Sequence, residues 1–121
     1  MRDKPSGQEL LDLARRAKAG DGTIAVPGDQ RYKDLMIARA EAIAVRQIET
    51  GDAPERAEKE SLSEILGHDG SLPDLNAQLA AAIREGRYDP GTPGHDAALK
   101  HVRDTARERL KESNSKALAP E

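Results

Sequence analysis

Two arginines on the longest apolar segment of the chain have the side chains and spacing that suit recognition of a carboxylate or another anion. Arg39 and Arg46 are seven residues apart, so a helix would place them along one stripe, beside Leu35 and Ile43. A guanidinium group can bind a carboxylate through two parallel hydrogen bonds, and this pattern predicts a clamp at an interface. The alternative is that both side chains extend from the edge of a bundle and pair locally.

Glu41 lies on another side of the same segment, near Ile37. It could act there as a general acid or base, or it could pair with an arginine of a neighbouring helix or subunit. We favour pairing, because no second catalytic group stands at a fixed spacing from this glutamate. Glu41, Arg39, Arg46, Ile37 and Ile43 are therefore the candidate interface residues.

The remaining chemistry-bearing residues form no recognisable catalytic or metal-binding pattern. Cysteine is absent, which excludes a thiolate nucleophile, a disulfide and a cysteine-ligated metal. Of the three histidines, His68, His95 and His101, the last two are six residues apart and do not share a helix face as paired ligands would. The serines lack a nucleophile elbow, and the glycines match no phosphate-binding loop. We expect no cofactor, no metal site and no enzymatic activity.

Composition narrows the class of protein further. The chain has 121 residues, a formal net charge of −3 and an isoelectric point near 5.7, which gives no reason to expect nucleic-acid binding. It lacks an apolar leader and any run of ~18 apolar residues, so we expect a cytoplasmic protein with no membrane-spanning segment. Leu, Ile and Val together number only 21, and Phe and Trp are absent. Such a thin core would gain from the apolar surface of a partner.

The segment 35–48, which carries the two arginines, predicts the central helix of an all-α fold. Its apolar residues fall on two sides, so it must be covered on two sides, as in a small bundle of about five helices. Helix-start signatures at Ser6, Asp52 and Ser71 support this count. We expect one domain over residues 1–121 with a frayed tail from about residue 113. The connector 20–30 is either a short extended piece or an irregular loop.

The last predicted helix has a regular apolar pattern. Leu99, Val102, Ala106 and Leu110 recur at helical spacing, while the other faces are charged. This pattern predicts that these four residues pack inward and that the charged faces point to solvent.

Several short motifs follow one another in a fixed order along nearly the whole chain. They are Arg2–Pro5 with Glu9–Leu11, Arg31–Tyr32, Ala42–Glu49, Leu75–Ala80, Ile83–Asp89, His101–Arg103 and Ser113–Asn114. In this order they resemble a bacterial family of small helical domains of unknown function, encoded beside or fused to aminoglycoside-phosphotransferase-like kinases and acyl-CoA dehydrogenases. The chain departs from that family at Arg39, where Asn is common, and at Ser115, where Pro is common.

The resemblance draws attention to two candidate structural polar residues, Asn76 and Arg84. Asn76 stands one turn into its predicted helix, where a side-chain amide ordinarily makes local hydrogen bonds and could tie down a loop. Arg84 stands near the end of the same helix, where it could pair with a carbonyl or a carboxylate.

A non-enzymatic accessory or protein-interaction module is the function that these observations favour. The resemblance implies a phosphotransferase-like or acyl-CoA dehydrogenase partner, and the thin core favours a homodimer through one side of the central helix. The alternative is a small-molecule or acyl-group binding protein whose apolar groove is lined by Met36, Ile37, Ile43 and Leu79. The least favoured function is an enzyme that uses Glu41, Arg39 or His101.

Overall fold

The computed structural model describes residues 2, 4–24, 26 and 28–118, and these form α-helices without any strand. The helices are α1 (Gly7–Lys18), α2 (Gln30–Thr50), α3 (Ala53–Leu66), α4 (Leu72–Arg84) and α5 (His95–Ser113), followed by a 3-10 turn at Ser115–Ala117. The predicted all-α class with about five helices is confirmed. Ala25 and Pro27 of the predicted connector, and the last three residues of the predicted tail, lie outside the described residues.

The chain divides into two compact units. The N-terminal unit, residues 2–51, contains α1 and α2, and the C-terminal unit, from Asp52 onward, contains α3, α4 and α5. Whether they behave as one domain stays a prediction. None of the described helices is long and apolar enough to cross a membrane.

In the N-terminal unit, α1 packs against α2 through small residues. Ala14 and Ala44 are buried, and a Cβ at Gly7 would lie 2.9 Å from the Cβ of Gln47. The guanidinium group of Arg2 donates hydrogen bonds to the carbonyls of Gln47 and Gly51, which satisfies the end of α2. Small side chains and one glycine thus allow the two helices to approach closely.

Both helices of this unit start at the residues typical of an N-cap, but only one has a side-chain cap. The carboxylate of Asp29 accepts a hydrogen bond from the backbone N–H of Tyr32 at 2.9 Å, which caps α2. At α1 the hydroxyl of Ser6 instead donates to the Glu9 carboxylate at 2.9 Å. The backbone cap predicted from Ser6 is therefore not made by its side chain.

In the C-terminal unit, α3 packs against both α4 and α5. The core consists of Leu62, Leu75 and Leu79, with Tyr88 and several aliphatic residues packed around it. Gly67 ends α3 with a φ of +81°, a conformation that glycine adopts without a steric cost, and Ser71 caps α4. Leucines from α3 and α4 therefore supply most of this core.

The predicted inward stripe of the last helix is wrong. Leu99 and Val102 are exposed, whereas Ala98, His101 and Glu112 are buried. One residue along a helix corresponds to a rotation of about 100°, so the buried stripe lies beside the apolar one rather than on it. The physical reason is that Ala98 is small and that His101 hydrogen-bonds to α3, as described below. Leu99, Val102 and Ala106 of the apolar stripe are exposed, and Leu110 is half-buried.

Candidate interaction surface

The first half of α2 presents an apolar surface to solvent. Tyr32, Leu35, Met36 and Arg39 stand at positions i, i+3, i+4 and i+7, so they lie on one side of the helix. Their side chains are all exposed, with Tyr32 at 52%, Leu35 at 62% and Met36 at 39% of full exposure. We call these four residues the outward patch. Large apolar side chains clustered with an arginine are typical of protein interfaces.

Backbone geometry at the start of α2 supports the position of the tyrosine in this patch. Gly28 has a φ of +98°, and a Cβ added to it would collide with the ring of Tyr32. Glycine is therefore required there both for its conformation and for the space that the ring occupies. The close approach of the Gly28 backbone restricts the ring of Tyr32 on one side.

The candidate interface residues divide between the outward patch and the rest of α2. Arg39 belongs to the patch and is exposed, whereas Ile43 and Arg46 further along the helix are half-buried. Arg46 is also engaged by another interaction, so it is not a free side chain. The two arginines on one stripe therefore differ in their availability to a partner.

The other two candidate interface residues lie away from the patch. Ile37 and Glu41 are half-buried, and a Glu41 carboxylate oxygen lies 3.9 Å from the ammonium nitrogen of Lys18 on α1. This distance is long for an ion pair, and pairs of this exposure contribute ~1 kcal/mol or less. Glu41 thus faces a basic residue within its own unit.

Tyr32, Leu35 and Met36 are not among the candidate interface residues named from the sequence. Their exposure depends on which side of α2 is covered by α1, and the sequence pattern does not contain that information. The signal that could have found them is their shared helix face with Arg39.

A second polar arrangement joins α3 and α5 in the C-terminal unit. The hydroxyl oxygen of Ser61 lies 2.8 Å from Nδ1 of His101, and His101 is only 4% exposed. Burial lowers the pKa of His101, and the nearby Asp104 carboxylate opposes that effect. The neutral imidazole is therefore favoured.

The serine–histidine geometry resembles part of a nucleophilic pair, but its setting favours a structural role. A catalytic pair needs the nucleophile and its base within hydrogen-bond reach, and also access for the substrate. The imidazole of His101 is buried between helices, so a substrate would have to displace packed side chains to reach it. The pair is best understood as a hydrogen bond that holds α5 against α3.

A parallel hydrogen bond joins α3 to α4. The side-chain amide of Asn76 donates to the Glu58 carboxylate at 3.3 Å, and Glu58 is buried. Asn76 thus links two helices, while Arg84 at the end of α4 is exposed. Sequence reasoning missed both Glu58 and Ser61. They share the face of α3 that carries Leu62, and their i, i+3, i+4 spacing was the available signal.

The other histidines make local backbone contacts. Nδ1 of His95 lies 2.8 Å from the Tyr88 carbonyl, and Nδ1 of His68 lies 3.1 Å from the Asp69 carbonyl. Among the described residues no group of three His, Asp or Glu side chains could hold a metal ion.

A surface depression on α3 is lined by side chains that carry charged or hydroxyl groups. It has a volume of about 450 Å³ and is wide open to solvent. Its lining residues are Arg56, Lys59, Glu60, Ser63, Glu64 and Asp69. None of these residues belongs to the apolar groove that the sequence suggested, and Leu79 of that predicted groove lies in the leucine core of the C-terminal unit.

Comparison with known proteins identifies one family. Residues 24–117 match a family model described as a domain of unknown function, DUF6285. No curated protein and no solved structure matches the chain. The matched range begins before α2 and ends after α5, so it includes the outward patch and all of the C-terminal helices.

Proposed function

We propose that the chain, which belongs to the DUF6285 family, is a non-enzymatic interaction module that binds a protein partner through the outward patch. One observation carries this proposal: Tyr32, Leu35 and Met36 are exposed side by side on α2, next to the exposed Arg39. Binding would remove this apolar surface from water, which stabilises a complex by roughly 25 cal/mol per Å² of apolar area.

The residue types of the patch fit such a role. Tyrosine, methionine and arginine are enriched at interfaces, where tyrosine and arginine supply a large share of the residues that dominate binding energy. Methionine adapts its flexible side chain to the shape of a partner. Arg39 adds a guanidinium group that can bind a carboxylate of the partner.

Two kinds of partner follow from the resemblance and from the composition. The resemblance implies a phosphotransferase-like kinase or an acyl-CoA dehydrogenase that is encoded nearby in a bacterial genome. The thin apolar core supports a homodimer as well. We place the protein in the cytoplasm, where such partners act.

A capture experiment tests the proposal. The tagged chain is used to capture each candidate partner, expressed separately, and the Leu35→Glu and Arg39→Ala variants are compared with wild type. We expect both substitutions to reduce capture. Leu35→Glu places a charge in an apolar interface, which costs several kcal/mol when it is unpaired. Arg39→Ala removes the guanidinium group that would bind a carboxylate of the partner.

The matched control is Ile48→Glu. Ile48 is also exposed, at 47%, but it stands nine positions after Arg39 and therefore on the opposite side of α2. Its substitution should leave capture unchanged. Equal capture by wild type and Leu35→Glu, or equal loss with Ile48→Glu, would contradict the proposed role of the patch.

A further inference from the structure

We propose that a second copy of this chain occupies the outward patch, with the first halves of the two α2 helices packed antiparallel about a twofold axis. This inference rests on the proposed function and names the partner. It is carried by the arrangement of charge and apolar surface along the first three turns of α2.

Together with Asp29, the outward patch carries opposite charges at its two ends. The Asp29 carboxylate stands at the N-terminal end and the Arg39 guanidinium at the other, and both residues are exposed. They are ten residues apart, which is about 15 Å along a helix. A twofold axis near residue 34 reverses the second helix, so Arg39 of each copy meets Asp29 of the other. The patch is therefore complementary in charge to itself.

The apolar residues fit the same register. Leu35 lies next to the axis and would contact Leu35 of the second copy. Tyr32 and Met36 stand at equal distances on either side of residue 34, so each tyrosine would pack against a methionine of the other copy. Contacts between a thioether and an aromatic ring are favourable. One axis thus aligns both the charged and the apolar contacts.

Gln30 and Asp34, two polar residues of the same turns, do not obstruct this arrangement. The side-chain amide of Gln30 donates to the Asp34 carboxylate at 2.8 Å, on the side of α2 opposite the patch. No ion pair within the described part of the chain involves Arg39, and Asp29 uses one carboxylate oxygen to accept from the N–H of Tyr32. Asp29 keeps a second oxygen for the guanidinium group.

A parallel arrangement of the two helices is excluded by the same charges. It would place Arg39 beside Arg39 and Asp29 beside Asp29, and like charges at an interface oppose association. Only the antiparallel arrangement converts both charged ends into attractive contacts.

The expected dimer is weak, because the contact covers only three helical turns of each copy. Interfaces that bury less than ~1,200 Å² are typically transient, so sedimentation equilibrium is measured up to about 0.5 mM of the full chain. Leu35→Glu should raise the dissociation constant on the order of a hundredfold, because two unpaired carboxylates would face each other at the axis.

Charge variants test the register. Arg39→Glu should raise the dissociation constant about tenfold, since it removes two exposed ion pairs and places carboxylates opposite Asp29. Adding Asp29→Asn to Arg39→Glu should restore part of the affinity, because asparagine still caps α2 but removes the repulsion. The control is Arg15→Glu, which changes the net charge equally at an exposed position of α1 and should have little effect.

The outcomes separate the inference from the function on which it rests. A dimer that is weakened by Arg39→Glu and partly restored by Asp29→Asn supports the inference. A monomer at all concentrations, a dimer insensitive to Leu35→Glu, or one that responds equally to Arg39→Glu and Arg15→Glu overturns it. If the inference fails while Leu35→Glu still abolishes capture of another protein, the proposed function stands. If Leu35→Glu affects neither measurement, both fail.

Discussion

The two compact units of the chain bury different kinds of side chain. The N-terminal unit buries Ala14 and Ala44 and brings Gly7 against α2, while Tyr32, Leu35 and Met36 on α2 are exposed. The C-terminal unit buries Leu62, Leu75 and Leu79. An alanine removes far less apolar surface from water than a leucine, so the C-terminal unit gains more from its own core. The N-terminal unit keeps its large residues available to a partner.

The two units also differ in whether their buried polar side chains have hydrogen-bond partners. In the C-terminal unit, Ser61 is hydrogen-bonded to His101 and Asn76 is hydrogen-bonded to Glu58. These two bonds join side chains on three helices. In the N-terminal unit, the side-chain oxygen of Gln47 is buried and has no hydrogen-bond partner among the described residues. Unpaired buried polar atoms reduce stability. Both differences lead to the expectation that the C-terminal unit is the more stable one.

The largest expected effect comes from the leucine core. Leu62 is fully buried, so Leu62→Ala should lower the free energy of unfolding by about 3 kcal/mol through lost burial and the cavity that remains. Leu35→Ala, at a side chain that is 62% exposed, should change it by no more than about 0.5 kcal/mol. Urea denaturation followed by far-ultraviolet circular dichroism provides both values. If the two substitutions lowered the free energy of unfolding by similar amounts, the proposed difference between a buried leucine core and an exposed apolar surface would be wrong.

A smaller effect is expected where α1 approaches α2. A Cβ at Gly7 would lie 2.9 Å from the Cβ of Gln47 and 3.2 Å from the carbonyl oxygen of Ala44, so the backbone of one helix must move. Gly7→Ala should lower the free energy of unfolding by about 1–2 kcal/mol despite the helix-favouring effect of alanine.

Gly22→Ala is the matched control for that substitution. A Cβ at Gly22 would meet nothing within 4 Å, so alanine there should be neutral or stabilise the protein by up to about 1 kcal/mol. Both variants are compared in the same urea titration. A Gly7→Ala variant as stable as Gly22→Ala would show that the close approach of the two helices is not required.

The fold class was predictable from the sequence because its signals are local. Helix-start signatures at Asp52 and Ser71, glycine stops such as Gly67, and 3.6-residue apolar spacing all act within one helix. The orientation of α5 was not predictable from the same signals. Its apolar stripe through Leu99 is regular, but the buried stripe is fixed by the bond from His101 to Ser61, forty residues away in the chain. A hydrogen-bond partner this far away in the chain can be identified only from the tertiary structure.

The candidate surface was predictable in part for a related reason. Helical spacing placed Tyr32, Leu35 and Met36 on one side of α2, but spacing cannot say which side α1 covers. The side of α2 that α1 covers is set by the close contact at Gly7. Glycine has no side chain, so it does not contribute to the apolar pattern from which the sequence is interpreted. Arg39 was identified from its residue type, whereas the different setting of Arg46 emerged only from the structure.

The smallest expected effect concerns the polar interior of the C-terminal unit and depends on pH. Burial lowers the pKa of His101 in the folded chain, so the unfolded chain binds a proton more tightly. As the pH falls below about 6.5, the unfolded state takes up this proton first, and the free energy of unfolding decreases. The loss ends once the pH is below the pKa of the folded state.

Three aspartates whose pKa values are lowered do not obscure this effect. Hydrogen bonds from Thr23 lower the pKa of Asp21 to about 2, and hydrogen bonds from Gly70 and Lys100 lower the pKa values of Asp69 and Asp104. Their contributions to stability are present above a pH of about 4 and are lost only below it. These three aspartates therefore do not contribute to a difference in stability between pH 5 and pH 8.

Urea denaturation at pH 5 and pH 8 measures the contribution of His101. We expect wild type to be less stable at pH 5, and His101→Gln to reduce that difference even though it weakens the protein at both pH values by disturbing the bond to Ser61. His68→Gln is the control, because His68 is exposed in the turn after α3 and should leave the difference unchanged. If wild type and His101→Gln lose the same free energy between pH 8 and pH 5, the buried imidazole is not the group responsible.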